Sequence, residues 1–277
     1  MERRADLSGA AFCNVDGSGY AAKFVSYLDI AADQFASLKS FSYSVLQLRR
    51  GDRVLDVGCG CGDDLRKMAT LISPTGRAVG IDISKLMIEE ARRRNAARAL
   101  PIDFEVGQAT DLRWGSDVFD ACRADRVLQH LPDPQQAVNE MVRVLKPGGR
   151  IVVMDRDWGM VALDSSDPVT TGIVLHRAQS GIRNGWIGRQ LWRLFQSAGV
   201  NDVEVVSRSL NLRDFEIADT LLDLRQVLEH AIAEELVGKA AAEQWIDDLL
   251  ERDAAGQFFA TITLYLAYGV KASVSGI

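Results

Sequence analysis

Two rhythms of apolar residues alternate along this chain. Short runs rich in Val, Ile and Ala, each bounded by polar or glycine positions, predict strands at "RVLDVG" from Arg53, "RAVGIDI" from Arg77, "DFEVGQA" from Asp103, "VFDACRA" from Val118 and "RIVVMDRD" from Arg150. Between them the apolar positions recur at helical spacing, in "DDLRKMATLI", "SKLMIEEARRRNA" and "DPQQAVNEMVRVL". Ser84 stands where an N-cap belongs, and the helix after it places Glu89 and Glu90 before a run of arginines, a charge order that suits the helix dipole. The third helix runs into "KPGG", a stop signal before the next strand. Strand and helix alternating at this rhythm predict parallel β-α-β units in a doubly wound sheet.

The pattern changes after this. "VEVVSRSL" and "FFATITLYLAYGV" read as a final pair of strands, giving seven in all. Asp214 to Asp253 is helical in pattern, anchored by residues such as Leu221, Leu222, Trp245 and Leu249, and reads as a two-helix insertion. It serves either as a cap over one edge of the sheet or as plain core covering. Tyr20 to Leu48 also reads as helical and could close the same mouth. The expected organisation is one domain over residues 1–277. It comprises a helical segment (1–50), a ligand-binding core (51–213), a helical cap (214–253) and a last strand (254–277).

Composition narrows the class. With 47% hydrophobic and 25% charged residues the chain is of ordinary globular make-up, and its net charge of -6, with no Lys/Arg run, lacks the footprint of a nucleic-acid binder. The basic start "MERRADLSGAAFC" precedes an apolar stretch too short for a signal peptide, and no window reaches the ~18 to 20 apolar residues of a membrane span. The cysteines (Cys13, Cys59, Cys61, Cys122) lack zinc-ribbon spacing and read as reduced thiols, so a cytoplasmic protein is expected. No His/Asp/Glu cluster has metal-ligand spacing, and no metal is expected.

The chemistry concentrates after the first strand, where Gly58, Gly60 and Gly62 alternate before a helix. Glycines there permit positive φ and let a ligand lie against the main chain. Packing alone can also make such a turn glycine-rich. Asp82 ends the second strand, where an acid can accept hydrogen bonds from ribose hydroxyls. Asp63 stands where the dinucleotide fingerprint wants its last glycine, and an acid at that helix start opposes a pyrophosphate. A ligand with a ribose and no phosphates is expected, and S-adenosylmethionine meets both conditions.

On "VLDVGCGCGDD", "GIDIS", "GQATDLRW" and "FDACRADRVLQHLPDPQQAVNEMVRVLKPGGRIVVMD", the chain resembles the class I S-adenosylmethionine-dependent methyltransferases, with their Rossmann-like fold. It looks most like the small-molecule subgroup that includes ubiquinone/menaquinone C-methyltransferase-like proteins and many natural-product enzymes. The resemblance implies roles by position. Asp56 and the backbone of Gly58, Gly60 and Gly62 would hold the methionine end of the cofactor, with main-chain contacts from Arg123. Asp82 would bind the ribose, Ile83 would lie against the adenine, and Ala109 and Asp111 would flank that ring. Cys61 departs from the family's usual small or hydroxyl residue.

The acceptor belongs beyond the carboxyl ends of the strands, which here carry "ADRVLQH" and "DRDWG". His130 is the candidate general base, or else braces its turn; Asp155 is a second catalytic candidate. Arg126 and Arg156 could orient an anionic acceptor or pair with neighbouring aspartates, Trp158 at the same strand end is a substrate-binding candidate, and "RNGWIGRQL" from Arg183, a loop into a helix that carries Arg189 and Trp192, could form a wall of the pocket. His176 and His230 read as surface or cap residues. The expected activity is methyl transfer to the O, N or C atom of a small metabolite. The alternatives are a non-methylating reaction on the same fold, such as a cyclisation, or a non-catalytic binding protein. A homodimer is possible on this reading, with no nucleic-acid or membrane partner.

Overall fold

The computed structural model describes residues 15–18, 21–97 and 100–273. Cys13 lies outside them, as do the remaining ends of the expected first and last segments.

After a helical turn at Val15–Ser18, two helices, α1 (Ala21–Gln34) and α2 (Ala36–Val45), precede the sheet. The core then alternates β1 (Arg53–Val57), α3 (Asp63–Ile72), β2 (Arg77–Asp82), α4 (Lys85–Asn95), β3 (Ile102–Val106), β4 (Phe119–Asp125), α5 (Pro134–Val144) and β5 (Leu145–Arg156). These five strands pair in parallel in the order β3-β2-β1-β4-β5. The reason is visible in β1: four of its five residues are buried, as helices covering both faces of a parallel sheet require. The caps are where the polar pattern placed them. Ser84 Oγ accepts from Met87 N at 3.1 Å, and Asp133, one residue before Pro134, accepts from Gln136 N at 2.9 Å.

The second half continues with β6 (Ala162–Leu163), α6 (Pro168–Ser180), α7 (Ile187–Ser197), β7 (Val200–Leu212), α8 (Phe215–Leu222), α9 (Leu224–Ala233), α10 (Lys239–Ala254) and β8 (Ala260–Lys271). β8 runs antiparallel between β5 and β7, so the final pair extends the sheet. Among the described residues the sheet therefore has eight strands, one more than the seven expected. The extra one, β6, pairs only Ala162 and Leu163 with the start of β8, too short a run to register as a strand pattern.

The segment between β7 and β8 holds three helices where two were expected. Asp223 breaks the apolar run by taking a left-handed conformation (φ 57°), its amide bonding back to Asp219 O at 2.7 Å. The segment is core covering and cleft wall at once. Trp245 is buried and donates to Thr171 Oγ1 on α6 at 2.8 Å, while the α8–α9 corner faces the cleft described next. No helix among the described residues is long and apolar enough to cross a membrane.

Candidate functional site

The glycine turn after β1 is built by contacts that exclude side chains. Gly58, Gly60 and Gly62 all have positive φ, and a Cβ at Gly58 would lie 2.3 Å from Val127 Cγ2. One at Gly62 would meet the Phe104 ring at 2.5 Å. The turn is tied to β2: Cys59 N donates to Ile81 O at 2.9 Å and Gly60 N to Asp82 Oδ2 at 3.0 Å. The other Asp82 oxygen accepts from Ser84 N at 2.9 Å. Burial raises the Asp82 carboxyl against the opposing pull of these amide bonds. Each oxygen keeps a lone pair for a further donor.

A cleft of about 370 Å³ opens over this turn, within the usual range for small-molecule sites. One side is formed by Gly58, Gly60, Asp82 and Ile83, with Gln108, Ala109 and Thr110 beyond. Ile83 exposes 59% of its surface, an apolar side chain left open toward the cleft. The floor is the end of β4 and the turn after it, Asp125 to Val127 and Gln129 to Pro132. The far side comes from Tyr27 on α1, Trp158, the end of α6 and its loop (Arg177, Ile182, Arg183), and the cap (Leu221, Leu222, Val227, His230).

Beneath the glycine turn lies a buried ionic network. Arg123 donates to Asp56 at 3.2 Å, to Asp125 at 3.1 Å and to Ser42 at 3.1 Å, and lies 3.2 Å from Asp64. Lys39 sits 2.5 Å from Asp64 and 3.1 Å from Asp125, and Tyr43 donates to Asp64 at 2.5 Å. Arg126 joins through Asp125 at 3.1 Å. Burial works to raise the Asp125 carboxyl, but Lys39, Arg126 and Arg123 outweigh it and hold it well below the usual range. Asp56 pairs with Arg123, and burial pushes it up to about 7. The network carries α2 to the site, since Lys39 and Tyr43 belong to that helix. Asp125 and Arg126 face both the main cleft and an adjoining cavity of about 50 Å³ beside Asp56 and the glycine turn.

The residues expected at the site divide by this geometry. Gly58, Gly60, Asp82, Ile83, Ala109, Arg126, His130 and Trp158 line the cleft together. Asp56 and Gly62 support the turn from below. Asp111 is exposed outside the cleft, and Gln108 and Thr110 stand in its place. Arg123 lies inside β4, not after it, and its side chain is held in the network.

Asp155 is fully buried and accepts from Gln129 N at 3.1 Å and Arg156 N at 3.0 Å. It positions the Leu128–His130 turn and does not line the cleft. Burial pushes its carboxyl up to about 7. Arg156 is buried too, donating to Tyr27 Oη at 2.6 Å and Leu221 O at 2.9 Å among the rings of Tyr27, Phe35 and Trp158. It braces α1 and α8 against β5, and burial lowers its pKa. Arg189 pairs bidentately with Asp157 at 2.5 and 2.7 Å, outside the cleft. Of the two histidines read as surface or cap residues, His176 is exposed, and His230 lies on the cap helix α9, from which it lines the cleft. Arg177, on α6, lines it as well and had no local signal, whereas Arg183 begins the loop expected to wall the pocket and lines the cleft where that loop returns onto the His130 turn.

A parallel sheet with a glycine turn at the end of β1, an acid at the end of β2 and a cleft over both is a nucleoside-binding arrangement, and the resemblance to the class I S-adenosylmethionine-dependent methyltransferases implies this geometry. The comparisons agree. Residues 48–183 match the family described as methyltransferase domain. An uncharacterized 37.1 kDa protein in transposon TN4556 of Streptomyces fradiae is 42% identical over 246 residues, 87% of this chain and 70% of that one. Methyltransferase GfsG of Streptomyces halstedii is 34% identical over 152 residues, 54% of this chain and 52% of that one. The demethylmenaquinone methyltransferase of Symbiobacterium thermophilum is 37% identical over 109 residues, 39% and 43% of the two chains. With these named methyltransferases the match thus spans about half of their length or less.

Among solved structures, the YcgJ protein of Bacillus subtilis superposes with a TM-score of 0.59 at 21% identity, over 85% of this chain and 98% of that one. The [4+2]-cyclase SpnF gives 0.53 at 24%, over 86% and 80%. These two likenesses show the fold. The chain belongs to the class I S-adenosylmethionine-dependent methyltransferases. Within that class, 119 of its residues are 34% identical to the ubiquinone/menaquinone biosynthesis C-methyltransferase of Pseudomonas entomophila, 42% of this chain and 46% of that one.

The residues present fit the cofactor of this family. The first turn of α3 already carries the carboxylates of Asp63 and Asp64, which leaves that helix end no use for a phosphate. The glycine turn leaves bare backbone at the cleft, and Asp82 retains acceptor capacity beside the open face of Ile83.

Proposed function

We propose that this chain methylates a small, largely apolar secondary metabolite. Gly58 and Gly60 would carry the methionine end of the donor on their backbone, Asp82 its ribose hydroxyls, and Ile83 and Ala109 its adenine. S-adenosylmethionine, when bound, supplies a methyl group already activated on a sulfonium sulfur. What is left to the protein is to align the acceptor, exclude water and, for an O or N acceptor, take a proton. Trp158, Leu221, Leu222 and Val227 would press an apolar acceptor toward the donor side. His130, on the cleft floor, would receive the proton, and Asp155 would hold its turn in place through Gln129 N.

One observation carries the reading: a single cleft joins the glycine turn and Asp82 on one side to an apolar cap wall on the other. The cyclase among the structural neighbours shares this fold, and at 24% identity the likeness extends no further. Incubation with methyl-labelled S-adenosylmethionine and a metabolite extract tests the proposal. The expected result is label in one small organic product and stoichiometric S-adenosylhomocysteine. Turnover of an acceptor with no label transferred would overturn it.

A further inference from the structure

Three arginines, Arg126, Arg177 and Arg183, and three acids, Asp82, Asp125 and Asp223, line the cleft, and what sets one arginine apart is its lack of a partner. Arg126 is matched by Asp125 at 3.1 Å. Arg177 is matched by Glu234, bidentately, at 2.8 to 3.1 Å. Arg183 lines the same wall, is exposed, and has no carboxylate or hydrogen-bond partner among the described residues. Arg156, expected from its place in the sequence to meet an anionic acceptor, is engaged with Tyr27 and Leu221 and cannot.

Arg183 is not a loose surface side chain on a mobile loop. The next residue, Asn184, is clamped to the His130 turn: its amide donates to Gln129 O at 3.0 Å, and its side chain donates to Leu128 O at 2.9 Å and Leu131 O at 2.7 Å. On the other side Ile182 N donates to Gln179 O at 3.2 Å, and Gly185 O accepts from Trp158 N at 2.8 Å. The backbone of this arginine is therefore fixed relative to His130 and Trp158. The cap side of the same cleft carries Leu221, Leu222 and Val227 beside Ile182, with Asp223 as its one carboxylate among the described residues. An unmatched guanidinium on an anchored backbone, at the edge of a largely apolar cleft, suits a planar anion at one end of an apolar body, the geometry in which Arg binds a carboxylate through two parallel hydrogen bonds.

We propose that the acceptor is a mostly apolar molecule bearing a carboxylate, and that Arg183 holds that carboxylate on the cap side of the cleft. The inference rests on the methyltransferase reading above and makes the loop between α6 and α7 a determinant of acceptor choice. It requires no covalent step by Arg183, which acts as a binding and orienting residue only.

The test uses a matched pair of probes, 2-naphthoate and its neutral amide 2-naphthamide. Each is titrated by ligand-detected NMR against the full chain saturated with S-adenosylhomocysteine, as wild type, Arg183→Gln and Arg183→Lys. The expected result is that wild type binds the carboxylate at least ~10-fold tighter than the amide, as a charge-assisted pair should. Arg183→Gln should bring the two within about twofold while leaving the amide unchanged, and Arg183→Lys should retain part of the preference, since it keeps the charge without the planar fork. Equal binding of both probes by wild type, a preference that survives Arg183→Gln, or no binding of either probe would overturn the inference. The affinity for S-adenosylhomocysteine, measured in the same samples, separates the two levels. Its absence removes the methyltransferase reading itself, whereas normal affinity without a carboxylate preference removes only the acceptor class.

Discussion

Replacing Gly58 by alanine should destabilise the chain through two separable effects. The residue holds φ at +69°, and a left-handed backbone costs an L-residue about 1–2 kcal/mol. The new Cβ would also fall 2.3 Å from Val127 Cγ2, about 1 Å short of the 3.4 Å at which ordinary contact begins. Val127 is β-branched and stiff at χ1, packs against one of the two main cores, and cannot swing clear. Forcing it back is an overpacking of about 1–3 kcal/mol. The total expected loss is about 2–5 kcal/mol, read from urea unfolding. The second effect should vanish in a Val127→Ala background, because that substitution removes both Cγ atoms. In that background Gly58→Ala should cost only the backbone share, about 1–2 kcal/mol. A loss of equal size in both backgrounds would refute the assignment of this glycine to a close approach between the β1 and β4 turns.

Two more perturbations address the chemistry. Burial pushes Asp155 up to about 7, above the ~3.9 of an unfolded Asp. Its folded form therefore keeps a proton that the unfolded chain releases, so this group's contribution to stability falls as pH rises from about 4 to about 7. Asp155→Asn removes that titration, and the stability of the variant relative to wild type should improve over this window in pH-dependent urea unfolding; parallel curves would show that Asp155 does not titrate there. His130→Ala should lower turnover of an O or N acceptor by about 10²- to 10⁴-fold with S-adenosylhomocysteine affinity unchanged, and full activity in the variant would leave His130 a structural residue.

What was legible in the chain, and what was not, follows from the range of the interactions involved. The strands, the glycine turn and the Ser84 cap are written in contiguous residues, because each depends on neighbours within a few positions. Asp155 and Arg156 look like reactive groups in "DRDWG", yet both are buried, one accepting amide bonds and the other clamping Tyr27 and Leu221. Their fate depends on partners 26 to 129 positions away, which no local pattern encodes. The loop from Arg183 was legible as a wall of the pocket, but which of its residues reach the cleft was not: Arg189 pairs with Asp157 outside it, while Asn184 docking on the His130 turn brings Arg183 to its edge. The break at Asp223 was hidden because the apolar spacing runs on through it, while a left-handed residue there splits the helix in two.

The central claim is that the cleft over the glycine turn binds the methyl donor with Asp82 at its ribose. It is tested most directly by calorimetric titration of S-adenosylhomocysteine into wild type and Asp82→Ala. Because Asp82 also accepts from Gly60 N and Ser84 N, urea unfolding of the variant is recorded alongside to separate loss of the turn from loss of the contact. The account predicts one site per chain in wild type. In a variant that remains folded, affinity should be weaker by about 1.5–3 kcal/mol, the worth of a hydrogen bond to a charged acceptor, or roughly ten- to a hundredfold. No binding by wild type, or the same affinity with and without the carboxylate, would contradict it.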